Sequence, residues 1–259
     1  MQHLVDLTQL AAELRKRKVH VDIQDQIHAC ASLHSCFIDL SEARDAVRAH
    51  VPEQEAPVGD RPQTKQEVLI GQALLGRAFI LYVRATHSRP VAKAGLKARN
   101  SASLKCLSPE QRANHEDIVH FRDKVLAHFG DGAERATGPW VEERLVLRIK
   151  PFGSSFDFPH SRLNWRASLV IALNDNLRTL ISDIHRRIEL AHKELFELFD
   201  WKGATDPVFA ELSQAAVFDP SAFFFDEITA NAFRNETLSA TYRLSNVQPV
   251  DLGAFNSDL

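Results

Sequence analysis

The run that most limits what this chain can become is VLIGQALLGRAFILYV, residues 68–83, which is apolar on nearly every side. A helix of that kind has no face to offer water, so it belongs at the centre of a bundle. Thr64, three residues before Glu67, supplies a capping-box start for it. Gly71 and Gly76 leave room for a neighbouring backbone, at about 1 kcal/mol of helix propensity each.

The flanking segments repeat the helical period. Leu4, Leu7, Leu10, Ala11 and Leu14 mark a first helix over about 4–18. Ile23, Ile27, Cys30, Ala31, His34, Phe37 and Ile38 carry a second, long one to about Val51. His34 falls on its apolar face and reads as a packed core residue. The stretch 52–62, with three prolines and a glycine, is a loop. Leu173, Leu177, Leu180, Ile181, Ile184, Ile188, Leu195, Leu198 and Phe199 predict one long helix over 169–201, ending at Gly203. Between these lie a strand at 141–150, a turn at 151–155 and a second strand near 163–168, a small hairpin expected to pack on the bundle. Asp206-Pro207 and Asp219-Pro220 predict short helices over 206–217 and 219–235. The expected organisation is a helical domain over 1–203, with its hairpin at about 141–168, and an acidic helical appendage over 204–259. Phe223, Phe224 and Phe225 cannot all face one core, so one of them is expected to meet a partner surface.

Composition narrows the class. A hydrophobic content of 44% and a charged content of 25% are those of a globular protein. No stretch approaches the roughly 18 uncharged apolar residues of a membrane span, and the N-terminus lacks the order of a signal peptide, so a cytoplasmic protein is expected. Cys30, Cys36 and Cys106 lack CxxC spacing and read as reduced thiols, neither a disulfide framework nor a zinc knuckle. The net charge of −3 hides an asymmetry. Val68 to Pro109 holds no carboxylate but seven cations, Arg77, Arg84, Arg89, Lys93, Lys97, Arg99 and Lys105. From Lys193 onward four basic residues face eleven acidic ones. The basic segment either presents a positive surface to a polyanion or pairs with the acidic C-terminal region.

The chemistry concentrates in HEDIVHFRDKVLAHFGDG, residues 115–132. Ser108-Pro109 with Gln111 starts a helix expected to run about six turns to Gly130. Ile118, Phe121, Val125 and Phe129 form its core-facing stripe. On a regular helix Arg122 and His128 stand about 120° and 9 Å apart, so one chain does not bring both to one atom. An arginine reaching along the helix, a distorted helix or a second chain would. The dipole and ion-pair account of the same residues stays open: His128 sits in the last turn, and Arg122 has Asp117 as a candidate partner. Glu116 and His120, at i, i+4, have no third ligand at a diagnostic spacing beyond Asp117, so no metal is expected.

The string His120-Phe121-Arg122-Asp123-Lys124-Val125-Leu126-Ala127-His128-Phe129 resembles the signature of the HEPN superfamily, in which an arginine, a polar residue and a histidine follow one another along a helix. The resemblance covers about Thr64 to Gly132 and extends to the helix near residue 180. It implies an HEPN-like antiparallel helical bundle and says nothing of the last sixty residues; with the small β-hairpin and short C-terminal helices read from the residues above, the expected fold class is mainly α. The resemblance further implies a metal-independent endoribonuclease without cofactor, acting as a homodimer whose motif helices meet at the two-fold axis, in a toxin or antiviral defence role with an antitoxin or regulatory protein as partner. The catalytic residues would be Arg122, His128 and Asp123, and the RNA-binding residues Arg84, Arg89, Lys93, Lys97, Arg99 and Lys105. The competing expectation is a non-catalytic module that dimerises or binds a nucleotide, RNA or a protein.

Overall fold

The computed structural model describes residues 4–50, 64–87, 102–126, 141–143, 146–150, 153–157, 160–162, 167–224 and 226–235. The chain is mainly helical. Helix α1 (Leu7–Arg17) starts where the Asp6 carboxylate accepts from the Thr8 and Gln9 amides and stops at Lys18, whose φ of 56° is left-handed. Helices α2 (Val21–His50), α3 (Lys65–His87), α4 (Pro109–His120) and α5 (Ala167–Thr205) make the body. Three short ones follow, α6 (Pro207–Ala215), α7 (Pro220–Phe224) and α8 (Glu227–Arg234).

Two cores share the long helices α2 and α5. The larger joins Leu40, Ala43 and Val47 of α2 to Phe79 and Tyr82 of α3, Ile118 of α4, Phe121, and Leu173 to Ile184 of α5. The smaller gathers Leu10 and Leu14 of α1, Ile23 and Ile27 of α2, Leu195 of α5, and Phe209 and Leu212 of α6. The centre of the bundle is therefore α2, which packs on α1, α3 and α5. The expectation for α3 is corrected here: Leu69 and Ile70 are 66% and 51% exposed, so α3 has a buried and an open face. By length and composition α3 is the one described helix that could cross a membrane; 44% of its apolar window is buried inside the bundle.

Helix α6, the first of the expected appendage, packs on the body. Helix α5 runs through Gly203 to Thr205 without a break, and α6 shares the smaller core with α1. An isolated antiparallel bridge, Val5 to Val217, ties the two strands of chain together, with Asp6 N donating to Ala216 O at 2.8 Å. The expected helix over 219–235 is two helices, because Asp226 caps a fresh start by accepting from Thr229 N at 2.7 Å. Of the phenylalanine triplet, Phe224 is buried, Phe223 is half exposed, and both join Phe218 and Phe233 in an aromatic cluster. Phe225 and the segment 236–259 lie outside the described residues, as does the loop 52–62.

The hairpin differs in register from the expectation. Strands β1 (Val141–Glu143) and β4 (His160–Arg162) pair antiparallel, and β2 (Val146–Lys150) pairs with β3 (Gly153–Asp157) in the same continuing register. The returning strand thus begins at Gly153, about ten residues earlier than expected, and 167–168 belongs to α5. Val146, Leu147 and Phe156 are exposed, the last at 71%, so these side chains are not laid against the helices as expected.

The two glycines of α3 are not equivalent. A β-carbon at Gly71 would lie 2.6 Å from His50 Nδ1, whereas one at Gly76 would meet nothing within 4 Å. Close approach accounts for Gly71 alone. Gly76→Ala is expected to stabilise the protein by about 0.5–1 kcal/mol through helix propensity, raising Tm by about 1–4 °C. Gly71→Ala, which must displace the His50 ring, should lie below wild type in the same thermal melts.

Candidate active site

The motif helix is positioned by its first turn. Ser108 Oγ accepts from Gln111 N and Gln111 Oε1 accepts from Ser108 N, both at 3.1 Å, with Pro109 at the first helical position. The same Gln111 reaches across to α5, where its Nε2 donates to Thr179 Oγ1 at 2.8 Å. A buried polar network then fixes the helix face. Asn176 Nδ2 of α5 donates to Gln111 O at 3.0 Å and to the Tyr82 hydroxyl at 3.1 Å, and that hydroxyl lies 3.0 Å from His115 Nδ1. With Asn176 donating to the Tyr82 oxygen, the Tyr82 proton is left to go to His115 Nδ1. Burial, followed by the charge of His87, holds His115 below its usual pKa against the opposing Glu116, and burial pushes the Tyr82 hydroxyl far up. Both groups are therefore neutral partners in a lock between α3, α4 and α5.

This burial carries a pH consequence. The imidazoles of His34, His50 and His115 all sit below the ordinary value of 6.5, each first because burial disfavours the cation. Below pH 6.5 the unfolded chain takes up protons that the folded chain refuses, so their contribution to stability is present above that pH and lost on acidification. The urea midpoint is expected to fall between pH 7.5 and pH 5.5. A midpoint that stays level or rises over that range would contradict these three assignments.

At the motif itself the α-helix gives way. Residues Phe121–Leu126 form a π-helical turn with i→i+5 bonding, so the regular helix expected to reach Gly130 stops at His120. The 120° separation of a regular helix does not apply across such a turn. Phe121 is fully buried, with its ring 4.9 Å from that of Phe79. It anchors the turn in the larger core. Ile118 is buried beside it as expected. The next residue, Arg122, is one-third exposed, and its Nη1 pairs with Asp123 Oδ1 at 2.9 Å. Arg122 Nε is buried without a hydrogen-bond partner among the described residues. The acid next in sequence, rather than Asp117, is thus the observed partner of Arg122. His128 and Phe129 lie outside the described residues, and so does the distance from Arg122 to His128.

The basic segment divides in the same way. Arg84 is held by Asp39 of α2, with Nε to Oδ2 at 2.9 Å and Nη2 to Oδ1 at 2.5 Å, a two-point grip on a buried carboxylate. The side chain is half exposed, and Asp39 raises its pKa. Arg77 pairs with Glu42 at 2.5 Å. Both carboxylates come from α2, not from the acidic C-terminal region suggested by the charge pattern. Lys105 is exposed on a short 3₁₀ turn (Leu104–Cys106) beside the start of α4. Arg89, Lys93, Lys97 and Arg99 lie outside the described residues.

Elsewhere the tertiary structure joins residues that the sequence keeps apart. His34 is not a lone core histidine: its Nε2 lies 2.8 Å from His192 Nε2 of α5, and Cys30 completes a group whose ligand atoms are all within 4.8 Å of one another. The only sequence signal was the i, i+4 spacing of Cys30 and His34, which needs a third partner 158 residues away to mean anything. Glu116 and His120 are not part of that group.

The fold and the motif turn define a mainly helical protein with a cation and carboxylate displayed on a π-helical turn. Comparison with models of known protein families, with curated proteins and with solved structures finds no match to this chain.

Proposed function

We propose that the protein is a metal-independent endoribonuclease of HEPN type that cleaves RNA by attack of a 2′-hydroxyl. The observation that carries this reading is the π-helical turn at Phe121–Leu126, which presents Arg122 partly exposed, with Asp123 bracing its guanidinium. Turns of this kind are rare and occur frequently at functional sites. Asp123 fixes the plane of the fork, and Arg122 takes the phosphate in two-point fashion as negative charge builds on it. The His128 imidazole accepts the 2′-hydroxyl proton. The 2′-oxygen bonds to phosphorus, the 5′-oxygen of the next nucleotide leaves with a proton, and the products are a 2′,3′-cyclic phosphate and a free 5′-hydroxyl. Lys105 and the basic residues from Arg89 to Arg99 steer the polyanion towards the turn. Two copies meeting at their motif helices bring both arginines and both histidines to one cleft. A cytoplasmic toxin or antiviral effector restrained by an antitoxin or regulatory protein is the setting that this chemistry suits.

The test uses the full chain. RNA cleavage in EDTA, yielding cyclic-phosphate ends and tracking with the dimer in size-exclusion fractions, is the expected result. Cleavage that requires a divalent cation, or that is unchanged in both Arg122→Ala and His128→Ala, would reject the assignment.

A further inference from the structure

Away from the motif, α2 and α5 cross at a cavity of about 690 Å³ whose walls are apolar: Val5, Leu7, Ile27, Leu195, Phe196 and Phe199. Three side chains with soft or borderline donor atoms, Cys30, His34 and His192, line that same cavity. The two imidazoles meet edge to edge, with centroids 5.0 Å apart and planes inclined by 27°. Their Nε2 atoms point at one another at 2.8 Å. Two imidazolium cations cannot hold that geometry, so the pair carries at most one positive charge, and burial with the neighbouring His192 lowers the His34 pKa. The thiols also differ. Cys36 Sγ donates to Ala85 O at 3.6 Å and Cys106 Sγ to Ser103 O at 3.4 Å, while Cys30 Sγ finds no acceptor among the described residues. One turn of α2 puts Cys30 and His34 on one face, and α5 brings His192 to it.

We propose that Cys30, His34 and His192 form a zinc site with three protein ligands, its fourth position left to water or to a ligand entering from the apolar cavity. Thiolate and imidazole are the donors that zinc prefers, and three ligands with one open position distinguish an exchangeable site from a closed structural one. Tetrahedral bonding at ordinary zinc distances separates two imidazole nitrogens by about 3.3 Å and a nitrogen from a thiolate sulfur by about 3.6 Å. The imidazoles need to part by about half an ångström, and the Cys30 sulfur, within 4.8 Å of both nitrogens, needs to close in. On binding, the Cys30 thiol loses its proton to solvent. The imidazole that carried a proton on Nε2 moves it to Nδ1, and no oxidation occurs. The walls suit a ligand with an apolar body and a metal-seeking head group such as a thiolate, hydroxamate or carboxylate. This site is independent of the nuclease reading, whose activity survives EDTA.

Cobalt titration of the full chain tests it. One equivalent of Co²⁺ is expected to produce a thiolate-to-cobalt charge-transfer band together with d–d bands of tetrahedral intensity, both bleached by one equivalent of Zn²⁺. The double variant Cys36→Ser/Cys106→Ser leaves Cys30 as the one remaining thiol of the three and should keep the whole spectrum. Cys30→Ser should lose the charge-transfer band, and His34→Gln/His192→Gln should lose stoichiometric binding with unchanged helical circular dichroism. Absence of the band in wild type, its loss in the Cys36/Cys106 variant, or its persistence in Cys30→Ser would overturn the proposal. The Cys36/Cys106 variant keeps the question decidable even where a substitution in the cluster fails to fold.

Discussion

Replacing His128 by alanine is expected to lower RNA cleavage by about 10²–10⁴-fold, the usual contribution of a positioned proton acceptor. Helical circular dichroism of the variant, recorded beside the rate, checks that the fold is retained. Arg122→Ala should lose a similar factor. It removes the group that stabilises the transition-state charge, and leaves Asp123 without its 2.9 Å partner. Arg122→Lys is the sharper variant: it keeps the charge but loses the planar fork, so most of the loss should remain. Initial rates on a defined RNA, measured in EDTA beside urea midpoints, separate these effects from unfolding. If Arg122→Lys and His128→Ala both cleave at the wild-type rate, the cleft proposed at the motif turn does not exist.

Phe121→Ala is expected to be the most destabilising single change at the site, by about 3–5 kcal/mol. Its side chain is fully buried against Phe79, and its removal opens a cavity at the junction of α3, α4 and the π-helical turn. Native proteins hold only about 5–15 kcal/mol in reserve, so a large fraction of the protein's stability rests on this ring. The same substitution should lower cleavage in molecules that remain folded, since Phe121 is the anchor immediately before Arg122. Arg122→Ala, by contrast, should leave the urea midpoint close to wild type, because the arginine is a partly exposed residue with a near-neighbour ion pair. A Phe121→Ala midpoint within the error of wild type would mean that the turn is not held by the core.

The chain's local chemistry is legible in the order of its residues. The capping pairs Thr64 with Glu67 and Ser108 with Gln111 form as expected, with Thr64 N donating to Glu67 Oε2 at 2.8 Å. Asp206 likewise caps α6. Such motifs span three or four residues, so spacing alone specifies the contact. The two-residue alternation of the hairpin announces a strand but not its partner, because register depends on where the turn closes. The apolar run of α3 reads as buried on all sides, yet hydropathy cannot say which face meets a neighbour, and the open face carries Leu69 and Ile70.

The motif shows the same division. Residue order alone establishes that Arg122, Asp123 and His128 follow one another on a capped segment. That the helix turns π-helical there, that Asp123 rather than Asp117 takes the guanidinium, and that Arg84 is committed to Asp39 were decided by packing. Tyr82, His115 and Asn176 become a network, and Cys30, His34 and His192 a cluster, only when helices far apart in sequence lie side by side. By itself the sequence determined where helices start, which stripes are apolar and which residues carry chemistry, since those follow from interactions within one turn. The tertiary structure decided which of those residues meet, because a contact across 158 positions depends on the relative placement of whole helices, which no local spacing records.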